Sequence, residues 1–458
     1  MTGGTRSLLN RSQAPPPGTV RPFDFPEVHS THFPSGLGLR VARMTQVPLV
    51  TLSVVLRGGE SVLPDARAGL AVLTGAALEG GTLRRSGPEL AEAFEGIGTG
   101  LSVQTGWDAT RVSVTCLADR KEEAMALLAE ALLEPAFPEG ELDRFRNQRL
   151  AAIQQRLMDP GRLADDSAAH FFFSDSTPYH RPVAGTQASV EQLDPGDVQE
   201  FWESFYLPRS AGLVVVGDVD IPEVERMAGT FFGGWEGAPK TLEEFESEAR
   251  SPVGRIVVVH RPGSVQSEIR IGQPAAARNT PLYFPLQVFN TILGGAFTSR
   301  LMLNLREVRG YTYGIRSRFG FRSKEGPFSI STAVATEVTA PAVRESVSEL
   351  KGLIREGPTP DEVRQARDFI AGVFPLQLET TGQVASSISE LILYQLEDDY
   401  FSTYRDRIRA VTAKEVQAAS QEVLRPDEMV VVVVGDAERV RGPLADLDLG
   451  PMEVVTPG

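Results

Sequence analysis

Period-two alternation of apolar and polar positions marks strands in both halves of the chain. In "LSVQTGWDATRVSVTCL" (101–117) the residues Val112, Val114 and Cys116 fall on one face, and "GYTYGIRSRFGFRS" (310–323) and "GPFSISTAVAT" (326–336) alternate in the same way. Downstream of each strand region the period lengthens. "DRKEEAMALLAEALLEPAFPEGELDRFRNQRLAAI" (119–153) and "PAVRESVSELKGLIREGPTPDEVRQARDFIAGVF" (341–374) each predict an amphipathic helix, a proline-containing turn and a second helix opened by acidic residues. Acidic side chains suit that place because a helix N-terminus carries partial positive charge.

The pattern is duplicated. Residues 193–219, "LDPGDVQEFWESFYLPRSAGLVVVGDV", lie without a gap on 411–437, "VTAKEVQAASQEVLRPDEMVVVVVGDA", with Val198 on Val416, Pro208 on Pro426 and "VVVGD" on "VVVGD". Each copy predicts a helix, a proline-marked break and a buried strand ending at Gly-Asp. Strands and helices are mixed rather than strictly alternating, so the expected class is α+β, with antiparallel or mixed sheets packed with helices. The expected organisation is two homologous repeats, 23–235 and 253–458, joined by the acidic stretch 236–252 and preceded by a flexible, proline-rich arm, 1–22.

Composition narrows the chemistry. With 458 residues, 41% hydrophobic and 23% charged, the chain can bury sizeable cores. A net charge of -15 repels phosphate backbones and anionic lipid, and no basic run carries interleaved aromatics, so nucleic acid is not an expected partner. No stretch approaches the roughly 20 apolar residues of a membrane span. The first residues lack an apolar core of signal-peptide length, which favours the cytoplasm over the periplasm. The single cysteine cannot form an internal disulfide, and its place on an alternating face predicts a buried thiol rather than a nucleophile. "ILGGAF" (292–297) and "FEGIGTGLSV" (94–103) lack the spacing of phosphate-binding loops and predict a helix break and a turn into a strand.

Three features then combine: "GLA" leading into a predicted helix within "AGLAVLTGAALEGGT" (68–82), "EGGT" closing it, and the block "SRLMLNLREVRGYTYGI" (299–315) in the second half. From about residue 35 to its end the chain resembles the pitrilysin and insulinase family of zinc metallopeptidases. The likeness is strongest to the half-length subunits that pair up, as in mitochondrial processing peptidase and the bacterial heterodimeric peptidases. In active members the helix carries His-x-x-Glu-His: two imidazoles four apart share one helical face and one zinc, and the glutamate activates the bound water. The resemblance places the first histidine on Val72, the glutamate on Gly75, the second histidine on Ala76 and the later carboxylate ligand at Ala151 or Ala152. None has a donor atom. The five histidines, His29, His32, His170, His180 and His260, include no i, i+4 pair. No metal or cofactor is therefore expected in this chain.

The same resemblance places the family's arginine and tyrosine pair on Arg306 and Tyr313. Local pattern predicts a helix over 299–309, a left-handed cap at Gly310 and a strand over 311–319. Two donors at that junction suit an electrophilic role, holding a substrate carbonyl and the oxyanion that develops on it. The plainer alternative pairs Arg306 with a nearby acid and packs Tyr313 in the sheet. What the resemblance implies is a non-catalytic subunit that closes the chamber of a homologous, zinc-bearing peptidase partner and lends it Arg306 and Tyr313 for peptide hydrolysis. The competing expectation is a structural or peptide-binding scaffold, like the related core subunits of respiratory complex III.

Overall fold

A computed structural model of the chain describes residues 23–237 and 245–456. The expected arm, 1–22, lies outside the described residues, as do residues 238–244 of the expected linker.

Strands β1 (Val28–His32), β2 (Gly38–Arg43), β3 (Leu49–Leu56), β4 (Ser102–Thr105), β5 (Thr110–Leu117) and β6 (Ala211–Gly217) form one sheet in the order β1-β2-β6-β3-β5-β4. Strands β7 (Arg255–His260), β8 (Gln266–Ala276), β9 (Ile315–Phe319), β10 (Gly326–Ala335), β11 (Val430–Gly435) and β12 (Met452–Val455) form a second in the order β12-β7-β11-β8-β10-β9. Five strands of each sheet correspond in order and direction, with one parallel pair, β2 with β6 and β7 with β11, among antiparallel neighbours. The sixth strand does not correspond. β1 joins antiparallel to β2 from the amino-terminal side, whereas β12 joins parallel to β7 from the far end of the chain. The sheets are mixed and helix-packed, as the α+β expectation has it.

The helices follow the same duplication. The first half carries α1 (Leu70–Ala77), α2 (Gly87–Gly96), α3 (Lys121–Leu133), α4 (Glu139–Met158), α5 (Pro160–Phe172), α6 (Gln187–Gln192), α7 (Pro195–Phe205) and α8 (Ile221–Phe232). The second carries α9 (Tyr283–Asn290), α10 (Thr339–Glu356), α11 (Pro360–Val373), α12 (Thr381–Leu393), α13 (Tyr400–Ala410), α14 (Ala413–Val423) and α15 (Ala437–Ala445). Side-chain capping opens several of them, Asp194 at α7, Thr359 at α11 and Thr412 at α14 each accepting an N–H of the first turn.

The two central strands explain why the halves are joined. β6 and β11 are apolar at every position rather than alternating, which demands burial on both faces. Leu213 and Val215 of β6 face the first half's own core, while Val214 and Val216 belong to a cluster with Val384, Ala385, Ile388 and Leu391 of α12. Reciprocally, Val430, Val432 and Val434 of β11 pack with Leu163, Ala164, Ala168 and Phe172 of α5. Each sheet is thus covered on one face by a helix from the other half. The polar stretch 236–252 is not a free tether throughout: Ala249 bridges Phe173 and Arg250 pairs with Asp175 of the first half.

Candidate functional site

Helix α1 is preceded by Gly69, whose φ of 92° lies in the left-handed region that a side chain disfavours. Its first N–H groups are not left to water. The Glu60 carboxylate, fully buried, accepts from Gly69 N at 3.0 Å and from Val72 N at 3.1 Å, and Arg181 stands 3.7 Å away. Burial outweighs these favourable contacts and pushes the Glu60 carboxyl up to about 7. Arg181 is held in turn by the carbonyl oxygens of Glu60 at 3.2 Å and Leu63 at 2.5 Å.

The space beside Gly75 on α1 is filled. A Cβ on Gly75 would meet Thr105 Oγ1 at 2.5 Å and Val103 Cγ1 at 3.2 Å, both from β4. Thr105 Oγ1 is itself hydrogen-bonded to Thr110 Oγ1 at 3.1 Å. Ala151 and Ala152 are exposed on α4, which packs against α1. The isopropyl of Val72, the hydrogen of Gly75 and the methyls of Ala76, Ala151 and Ala152 stand where imidazoles and carboxylates would be required, so the residues present do not fit a zinc ion.

Tertiary structure does bring two histidines together that sequence spacing keeps apart: the rings of His170 and His180 are 6.1 Å apart. Both His180 nitrogens are engaged, Nδ1 donating to Thr177 O at 2.9 Å and Nε2 lying 3.3 Å from Asp65 Oδ2. Burial, with Arg250 close by, lowers the His170 pKa. His29 pairs with Glu225, and His260 Nδ1 accepts from Ala437 N at 3.1 Å. Among the described residues no group of three His, Cys, Asp or Glu side chains is placed to hold a metal. Cys116 is buried, and its thiol is pushed up to about 11 chiefly by that burial.

The second candidate region keeps its polar groups. Residues 302–308 form a π-helical turn, a widened form frequent at functional sites. Arg309 N donates to Asn304 O and Tyr311 N to Leu305 O, with Gly310 left-handed between them at φ 66°. The regular strand starts at Ile315 rather than at 311. Thr312 causes the delay: its hydroxyl is bonded to Gly314 and Thr332 and to Ala333 O at 2.8 Å, in place of ladder bonds. The break at "ILGGAF" also has a local cause, since a Cβ on Gly294 would strike the Ser317 side chain at 2.7 Å where β9 closes on the helix.

Arg306 is half-exposed, its guanidinium 4.6 Å from the Phe297 ring centroid and 3.6 Å from Glu307 Oε1. Tyr313 is 97% exposed and does not pack in the sheet. Neither side chain hydrogen-bonds to the other. Around them the surface is apolar, with Phe297 64% and Val308 77% exposed and Leu303 also outward. Exposed apolar groups gathered in one short segment mark surfaces that meet something else. The arrangement offers a free phenol, Tyr313, and a guanidinium, Arg306, that pairs loosely with Glu307 as the plainer alternative has it, beside exposed apolar groups.

Comparison with known proteins bears on both regions. Residues 41–185 match the model of the insulinase family, peptidase family M16, and residues 192–369 match that of the peptidase M16 inactive domain. An uncharacterized zinc protease of Streptomyces coelicolor is 26% identical over 421 residues, covering 90% of this chain and 91% of the relative. The non-peptidase homolog YmxG of Helicobacter pylori is 23% identical, covering 86% and 90%. Among solved structures, a peptidase M16 inactive domain from Pseudomonas fluorescens superposes with a TM-score of 0.84 at 25% identity, covering 89% of this chain and 98% of its own. A Helicobacter pylori protease shares the fold, with a TM-score of 0.82 at 18% identity and coverages of 89% and 99%.

Proposed function

The chain belongs to the insulinase-like M16 peptidase family as a non-catalytic member, and from that premise we propose that it is one subunit of a heterodimeric zinc peptidase. In this reading a homologous partner carries the zinc, and this chain closes the chamber over a peptide and supplies Arg306 and Tyr313. The observation that carries it is the contrast between the two regions. Around α1 the ligand positions carry no donor atom and the space beside Gly75 is occupied, whereas Tyr313 stands exposed without a protein acceptor and the half-exposed Arg306 has only Glu307, 3.6 Å away, as an acidic partner, beside Phe297, Leu303 and Val308. A scaffold alone has no need of two donors held on an open face. Arg306 and the Tyr313 hydroxyl would orient a scissile carbonyl and stabilise the negative charge that grows on its oxygen, which is where preorganised donors contribute most.

The test is reconstitution with a zinc-bearing member of the family from the same organism, followed by steady-state kinetics. Arg306→Ala and Tyr313→Phe are each expected to lower turnover by about a hundredfold or more. Assembly, followed by size-exclusion chromatography, and the partner's zinc content should stay unchanged. Unaltered turnover in both variants, with complexes intact, would leave this chain as a scaffold.

A further inference from the structure

Between the two halves lies a cavity of about 580 Å³ that borders the α1 region at Thr105 but holds none of Val72, Gly75, Ala76, Arg306 and Tyr313 in its lining. It is walled by the β4–β5 turn, by the start of β10 with the end of β9, and by the last residues of α12. Its charged lining is three arginines, Arg111, Arg318 and Arg322, against one acid, Asp108. In a chain of net charge -15 this is a local reversal of sign.

The arginines are only partly offset from within: Asp108 attracts Arg322 and Glu390 attracts Arg111, but neither acid forms an ion pair with them. Both Asp108 oxygens are taken by neutral donors, Oδ1 by Tyr179 OH at 3.1 Å and Oδ2 by Ser323 N at 3.0 Å and Tyr394 OH at 3.4 Å. Arg322 is clamped between rings, its guanidinium 4.3 Å from the Tyr179 centroid and 4.9 Å from that of Trp107. Its Nη1 is buried without an acceptor. Arg111 Nη1 donates to Ser386 Oγ at 2.6 Å, while its Nε is likewise buried and unpaired. Arg318 is exposed and near enough to Arg322 for the two charges to repel. No ion pair joins any of the three among the described residues. Packed guanidinium groups whose buried N–H groups lack a paired acceptor are costly, and a carboxylate, whose two oxygens match the planar fork of N–H groups, relieves that cost.

We propose that this cavity binds the carboxylates of an acidic peptide segment. The walls contributed by Trp107, Tyr394 and Pro327 offer apolar surface beside the charges, which suits a segment mixing acidic and apolar side chains better than a bare inorganic anion. The choice of a peptide as carrier rests on the peptidase-subunit reading. The binding itself needs no partner.

Calorimetric titration of the full chain, alone, tests it with three probes: a blocked hexapeptide alternating Glu and Phe, the same peptide with Gln for Glu, and tripolyphosphate. The Glu peptide is expected to bind at least tenfold more tightly than the Gln peptide. Arg318→Gln, an exposed position with no protein partner, should weaken the Glu peptide about fivefold with the circular dichroism spectrum unchanged. Arg322→Lys, which keeps the charge and loses the planar fork, should weaken it as well. Equal binding of the two peptides, or an Arg318→Gln variant that binds the Glu peptide unchanged, overturns the proposal. So does tripolyphosphate binding more tightly than the Glu peptide and displacing it. Because no zinc-bearing partner is present, a negative result here leaves the kinetic test of Arg306 and Tyr313 standing, and the converse also holds.

Discussion

Glu60 couples the start of α1 to pH. Its folded pKa near 7 lies above its ordinary value of 4.5, so between those limits the folded state holds a proton that the unfolded state has released. The resulting stabilisation is complete below about pH 4.5, falls as pH rises and is gone above about 7; the lift corresponds to about 3 kcal/mol. Urea titrations of wild type and Glu60→Gln from pH 4.5 to 8 should therefore diverge, wild type losing stability relative to the variant as pH rises. Parallel curves would contradict this. Gly75 allows a second prediction at the same scale. Gly75→Glu should cost about 1 to 3 kcal/mol by overpacking against Thr105 and Val103, and Thr105→Ala should recover part of that cost. Restoring Val72→His and Ala76→His beside it should still give only weak zinc binding, read by metal titration, because Ala151 and Ala152 supply no further ligand. The donor-free identities of these positions are legible in the sequence. The occupation of their space by Thr105 is not, since β4 lies some thirty residues away and reaches α1 only in the folded sheet.

The exchanged helices dominate at the scale of elements. α12 is fixed to the first sheet by the Thr381 and Thr51 hydroxyls at 2.8 Å, and by Arg57 Nη2 donating to Ile392 O at 2.7 Å. Its close approach depends on Gly212 of β6, where a Cβ would meet Ile392 Cδ1 at 2.6 Å. α5 also approaches Gly272 of β8, where a Cβ would meet Phe172 Cε2 at 2.6 Å, though it would first strike the Phe328 carbonyl oxygen of the neighbouring strand β10. Gly212→Val and Gly272→Val should each destabilise by about 1 to 3 kcal/mol in urea unfolding. Ile392→Ala should suppress the first cost and leave the second, since sites without shared partners add independently. Full stability in Gly212→Val would show that α12 can slide away without loss. The helices themselves are readable from period and caps, and α11 has its Thr-Pro-Asp-Glu opening written out at 359–362. Which sheet α5 and α12 would cover is not, because an amphipathic stripe declares that it needs a partner without naming one.

At the scale of the molecule, the exchange makes the halves interdependent. Separated, each sheet would expose the apolar face that the other half's helix now covers, including Val214 and Val216 on one side and Val430, Val432 and Val434 on the other. The chain should unfold in one calorimetric transition with equal van't Hoff and calorimetric enthalpies, and fragments cut at residue 240 should be insoluble apart yet recover when co-expressed. Two resolved transitions would contradict this. The gapless register of 193–219 on 411–437, the all-apolar runs that became β6 and β11, and the absence of donors at Val72, Gly75 and Ala76 were determined by the sequence alone, because each is a property of local residue order. Only the tertiary structure decided that β1 and β12 complete the two sheets by different routes, that Glu60 caps α1, and that Arg111, Arg318 and Arg322 share one cavity. These depend on contacts between residues far apart in the chain. A residue pattern records what each segment must bury or pair, but the partner is selected by the geometry of the whole fold.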